Sequence, residues 1–105
     1  MKLVEFEIYS EASNCAVVRV PGRPFPDCVV QGDSLSSLFA DSKELSLRLQ
    51  ELGVTDENVL SLAQALQEQL LDRLVHYQRV MAVEGLALPY STPVSERDLV
   101  ALVSE

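Results

Sequence analysis

The stretch "VTDENVLSLAQALQEQLLDRLVHYQRVMAVEG" (54–85) constrains the fold more than any other part of this chain. Thr55 or Asp56 can cap it, acidic residues suit its first turn and Gly85 ends it, so it reads as one helix. At ~1.5 Å per residue it is roughly 42 Å long. On a helical wheel Val59, Ala63, Leu66, Leu70, Leu74, Tyr77 and Met81 form one apolar stripe, and Leu60, Leu71, Val75 and Ala82 form a second beside it. Ser61, Glu68, Gln69, Asp72, His76 and Arg79 keep only a narrow polar arc. An apolar arc this wide needs cover on two sides. Two readings stay open: a central helix covered by a sheet and by a neighbouring helix, or a helix whose Leu60, Leu71 and Val75 meet a partner or a second copy. The second has force because a small sheet covers only part of a helix this long.

The preceding "GDSLSSLFADSKELSLRLQELG" (32–53) is also helical, with Asp33 or Ser34 as cap and Gly53 as stop. Leu35, Leu38, Phe39, Ser42, Leu45, Ser46, Leu49 and Leu52 share one face. Its two serines are small enough to admit another backbone. "DSKE" (41–44) looks like a capping box, which leaves open a kink at Asp41.

Upstream the period changes to two. In "KLVEFEIY" (2–9) Val4, Phe6 and Ile8 point one way and Glu5 and Glu7 the other, as in a strand with one buried face. "CAVVRV" (15–20) and "CVVQ" (28–31) are further strand candidates. Between them lies "PGRPFP" (21–26). Its Pro21 ends a strand, Gly22 permits a tight turn, and Phe25 is expected to fold inward and anchor the corner. The other reading is a binding loop, with Arg23, Gln31 and Asp33 as contacts. After the long helix, "LALPYSTP" (86–93) is a linker, and "SERDLVALVSE" (95–105) reads as a short docked helix capped by Ser95. The expected fold is therefore α+β in a single domain (1–105): an antiparallel two- or three-stranded sheet (1–32), a helical hairpin (33–53 and 54–85) and a short C-terminal helix (95–104).

The segment "PGRPFPDCVVQGDSL" resembles the pattern of a family of small uncharacterised bacterial proteins: a hairpin, a PGR-x-FP segment, then QGDSL opening a helix. The resemblance covers about the first third of the chain. It brings no activity with it. It implies an association with toxin genes, and hence an immunity role.

Charge and motifs narrow the function classes. The net charge is -8, and the acidity is spread along the chain. That sign repels phosphate backbones and favours a basic protein partner, so no nucleic-acid binding is expected. No apolar run approaches the ~20 residues of a membrane span, and Glu5, Glu7 and Glu11 interrupt any signal-peptide core. A cytoplasmic setting is expected, with Cys15 and Cys28 as thiols. A turn near Arg23 would put Cys28 opposite about Val20 and Cys15 out of disulfide range. His76 sits one turn after Asp72 and, with a cysteine, could imitate a Cys–His–Asp set, but nothing brings a strand cysteine to that face. One His and two distant Cys make no metal-ligand spacing, and no phosphate or dinucleotide loop is present, so no metal or cofactor is expected. The function expected is non-enzymatic protein binding, in its concrete form an immunity protein that neutralises a toxin by covering its basic active site. The alternative is a structural or regulatory homo-oligomer, such as a homodimer, assembled through helix 54–85.

Overall fold

A computed structural model describes residues 2–11 and 15–103. Three strands, β1 (Glu7–Ser10), β2 (Cys15–Arg19) and β3 (Asp27–Val30), form an antiparallel sheet in the order β1-β2-β3. Two helices follow, α1 (Gly32–Glu51) and α2 (Glu57–Val83), and then a 3-10 turn at Glu96–Asp98. The fold is α+β, as the change of hydrophobic period requires.

Both helices begin and end on local chemistry. The Asp56 side chain accepts from the backbone N–H of Asn58 and Val59, at 2.9 and 3.2 Å. α1 has no side-chain cap at Gln31; Asp33 instead accepts from the Ser34 N–H at 2.8 Å. Paired backbone bonds close both C-termini: Gly53 to Gln50 with Val54 to Leu49, and Gly85 to Ala82 with Leu86 to Met81. "DSKE" does not interrupt α1. The Ser42 hydroxyl donates back to the Phe39 carbonyl and Ser46 to that of Ser42, so both serines are satisfied inside one continuous helix.

α1 and α2 pack antiparallel, with Gly32 beside Tyr77 at one end and Ser46 bonded to Gln67 further along. A β-carbon at Gly32 would overlap the Tyr77 ring, which would have to move aside to admit it. The core is Phe39, Leu71 and Leu74, flanked by Leu35, Leu70, Val75, Tyr90, Val94 and Leu99. The last three come from the C-terminal segment, not from the sheet.

That segment corrects the expected helix 95–104. The Ser95–Asp98 capping box does form, but helical structure stops after Asp98. Residues 94–103, extended apart from this turn, run back along α2 as a strap. Their backbone groups are claimed by glutamines. Gln78 accepts from the Val94 N–H and donates to its carbonyl, at 2.9 and 2.8 Å. Gln67 does the same for Val100, at 2.7 and 3.0 Å. Gln64 accepts from Leu102 and Val103, and Gln50 of α1 donates to Ala101. Amides engaged by these side chains cannot close helical turns, so the segment stays extended despite its helical pattern.

The sheet corrects three further expectations. Phe6 and Ile8 are more than half exposed and Val4 is half exposed, while Val18 is the one buried apolar side chain among the described sheet residues. Phe25 is 76% exposed and anchors nothing. The cysteines are joined as a disulfide. The reason is register. Pro21 and Gly22 form the centre of a turn closed by the Arg23 N–H on the Val20 carbonyl, with Gly22 at φ +86. The turn pairs Val20 with Arg23, and two more residues on the β3 side of the loop than on the β2 side set Cys28 opposite Val17, not opposite the expected Val20. Cys15 is then one diagonal step away on the same face, with Cα atoms 6.0 Å apart, inside disulfide range.

Candidate functional site

The helical hairpin has two long grooves, one on each side of the α1–α2 seam. At about 100° per residue, Gln64, Gln67, Leu71 and Gln78 point to one side of α2, and Val59, Leu62, Leu66 and Leu70 to the other. The strap fills the first groove. Its middle is pinned by Asp98, which accepts from the Ser95 N–H at 2.8 Å and pairs with Lys43 at 3.4 Å. The Ser95 N–H, and then Lys43, hold the Asp98 carboxyl below its usual range despite some desolvation. Just before the strap, Tyr90 donates its hydroxyl to Gln78, the residue that holds Val94, at 3.0 Å. Burial first, and the neighbouring Tyr77 second, push the Tyr90 hydroxyl pKa up.

The second groove is open. It consists of two shallow apolar cavities end to end. One, of about 270 Å³, is lined by Leu45, Leu49, Val59, Leu62, Ala63 and Leu66. The other, of about 390 Å³, is lined by Leu38, Asp41, Ser42, Leu45, Leu66 and Leu70. Leu45 and Leu66 belong to both and form the waist between them. Leu62 is 72% exposed, and Leu38, Leu45 and Leu66 are each 48% exposed. Asp41 is the one charged residue lining either cavity. A row of leucines exposed to this degree on paired helices is not the scatter of single apolar residues found on ordinary surfaces.

The residues singled out from sequence fall elsewhere. Leu71 is 4% exposed and belongs to the core, and Val75 packs against that core. Leu60 is half-buried and lines a separate cavity with Leu102 and Val103. Arg23, Gln31 and Asp33 are exposed, and Arg23 pairs with Asp27 at 3.1 Å. Neither helical stripe is of one kind: Val59 and Leu66 of the first are open while its Ala63 and Leu74 are buried, and Leu71 of the second is buried. Sequence reasoning also missed Gln64, Gln67 and Gln78. Their spacing, in register with Leu71 and Leu74, was the available signal, since it places them on the buried side of α2.

No cluster of potential metal ligands occurs among the described residues. His76 is exposed, and each cysteine sulfur is bonded to the other, so neither is a thiol. No helix among the described residues is long and apolar enough to cross a membrane.

A family model matches residues 1–90, which include the sheet, both helices and the open groove. The chain belongs to a family of unknown function, DUF6959. The match ends at Tyr90, so the strap from Val94 onward lies outside it. No curated protein and no solved structure matches the chain.

Proposed function

We propose that this protein works by binding protein rather than by catalysis, and that the open α1–α2 groove is its binding surface. The observation that carries this reading is the continuous apolar row from Leu38 and Leu70, through Leu45 and Leu66, to Val59 and Leu62. Covering such a row gains about 25 cal/mol for each Å² of apolar surface removed from water. The groove is shaped for helices, whose side chains enter the space between two antiparallel neighbours.

The narrower reading, an immunity protein that covers a toxin's basic active site, draws support from the net charge of -8. A cytoplasmic setting fits the reading only with reduced cysteines. A Cys15–Cys28 disulfide belongs to an oxidising compartment.

The test is parallel affinity capture from the native host with the natural chain and with Leu62→Asp. Leu62 is exposed, so the variant keeps its fold, which circular dichroism checks. The expected result is a specific protein retained by the natural chain and lost from the variant. Equal retention by both chains would move the binding surface elsewhere. A complex that weakens steeply as salt rises supports a basic partner; one indifferent to salt removes the toxin-immunity version.

A further inference from the structure

The occupant of the open groove follows from surface area and register. A compact monomer of 11.6 kDa exposes about 5,800 Å². This chain exposes 7881 Å². Its radius of gyration is 16.4 Å, against about 13 Å for a compact domain of its length. The excess is roughly 2,000 Å². It exceeds the ~800 Å² that each partner buries in a standard interface.

The groove is also built to meet itself. Leu38, Leu45 and Leu52 repeat every seven residues on the open side of α1 and just beyond its end, the spacing that keeps a seam facing a partner helix. Leu45 lies at the middle of this row. On α2, Leu62 and Leu70 lie four residues to either side of Leu66. Leu45 and Leu66 are level with each other, because they line both cavities. A two-fold axis across the hairpin at this waist therefore maps each helix onto itself in antiparallel sense. It sets Leu45 against the partner's Leu45, Leu66 against the partner's Leu66, and Leu38 against the partner's Leu52. It also brings Asp41 beside the partner's Leu49 and next to the partner's Arg48, an attractive pairing at the edge of the seam. Such a closed, self-complementary contact is the commonest form of soluble assembly.

We infer that a second copy of this chain fills the groove, so that two α1–α2 hairpins close into an antiparallel four-helix bundle around Leu45 and Leu66. The inference rests on reading the groove as a protein-binding surface. The assembly leaves both straps and both sheets outside the bundle. Each copy carries -8, so the two repel at long range and the dimer tightens as salt rises. A basic partner in the same groove behaves in the opposite way.

Sedimentation of the full chain over a range of concentration and salt tests this. The expected mass is twice 11.6 kDa, with dissociation favoured at low salt. Leu45→Glu and Leu66→Glu should each sediment as single chains with unchanged helical circular dichroism. Cysteine substitution then reads the register. Leu45→Cys should cross-link to its own copy under mild oxidation. Leu38→Cys should do so only when mixed with Leu52→Cys. A natural chain that stays single at every concentration and salt overturns the second copy. It leaves the protein-binding reading to the Leu62→Asp capture experiment. A dimer that survives both glutamate substitutions, or that cross-links in another pattern, places the contact elsewhere and overturns the inference as well.

Discussion

The helical hairpin and the sheet both present apolar residues at the period of their own secondary structure, but they settle them differently. In the hairpin, Phe39, Leu71 and Leu74 are covered by a neighbouring helix and by a strap whose backbone is satisfied by Gln64, Gln67 and Gln78. In the sheet, Ile8 and Val29 remain about half exposed, each outer strand pairs with a strand on one side only among the described residues, and the link that spans β2 and β3 is covalent. The hairpin is held by burial and hydrogen bonds together. The sheet is too small to build a core of its own, and a disulfide takes over part of that task. A hydrophobic pattern states that a face is apolar. It does not state what lies on it.

The most damaging way to break the hairpin's side of this contrast is Gln67→Ala. Gln67 is 0% exposed and bonds Ser46 and both backbone groups of Val100. Truncation opens a cavity and strands buried polar groups, at a cost of about 4 kcal/mol. Thermal and urea melts measure it. A loss below about 1 kcal/mol, the size of one ordinary hydrogen bond, would show that the strap is dispensable to the core.

Removing the disulfide attacks the other side. Cys15→Ser with Cys28→Ser frees the closed loop between two residues 13 apart in sequence, which costs about 3 kcal/mol of constraint on the unfolded chain. The expected outcome is faster amide exchange in β2 and β3 with little change in α2. Equal acceleration in both regions would mean that sheet and hairpin unfold as one unit.

A smaller effect comes from pH. The Ser95 N–H and Lys43 hold the Asp98 carboxyl below its ordinary range. Asp98 therefore supports strap docking at pH values above the ordinary carboxylate pKa of about 3.9. That support fades as the pH falls through the lowered value in the folded chain. Amide exchange at Ser95 and Val100 should rise as the solution is acidified toward that range. In Asp98→Asn the exchange should lack this acid dependence.

The smallest effect is expected at Phe25. An exposed side chain at a turn leaves little to lose, so Phe25→Ala should shift stability by less than about 0.5 kcal/mol. A clear drop in melting temperature would show that the ring is covered in the assembled protein.

The helices were legible in the sequence to within a few residues because their signals are local. Asp56, Gly53 and Gly85 act within one turn of the ends they mark, and the 3.6-residue period runs through each helix. The change to period two likewise announced a sheet of two or three strands, and the structure has three. The open groove was only half legible. A stripe through Val59, Leu66 and Leu70 could be read, but choosing between it and the stripe through Leu71 required knowing where α1 lies.

Three matters were decided only by tertiary structure. Val100 is held by Gln67, 33 residues away, and its extended conformation wins over a helical pattern because the glutamine amide occupies the backbone groups a helix would use. The disulfide depends on the β2–β3 register, which the whole loop between Val18 and Asp27 sets, and a slip of three residues separates bonded cysteines from free ones. Phe25 sits between prolines that fix the path of the chain, but whether that path leads inward depends on where the sheet stands relative to the helices. Capping, periodicity and turn chemistry act over a few neighbouring residues, and the sequence by itself determined what depends on them. Cover, register and pairing depend on residues brought together from far along the chain, and only the folded arrangement of α1, α2, sheet and strap decided them.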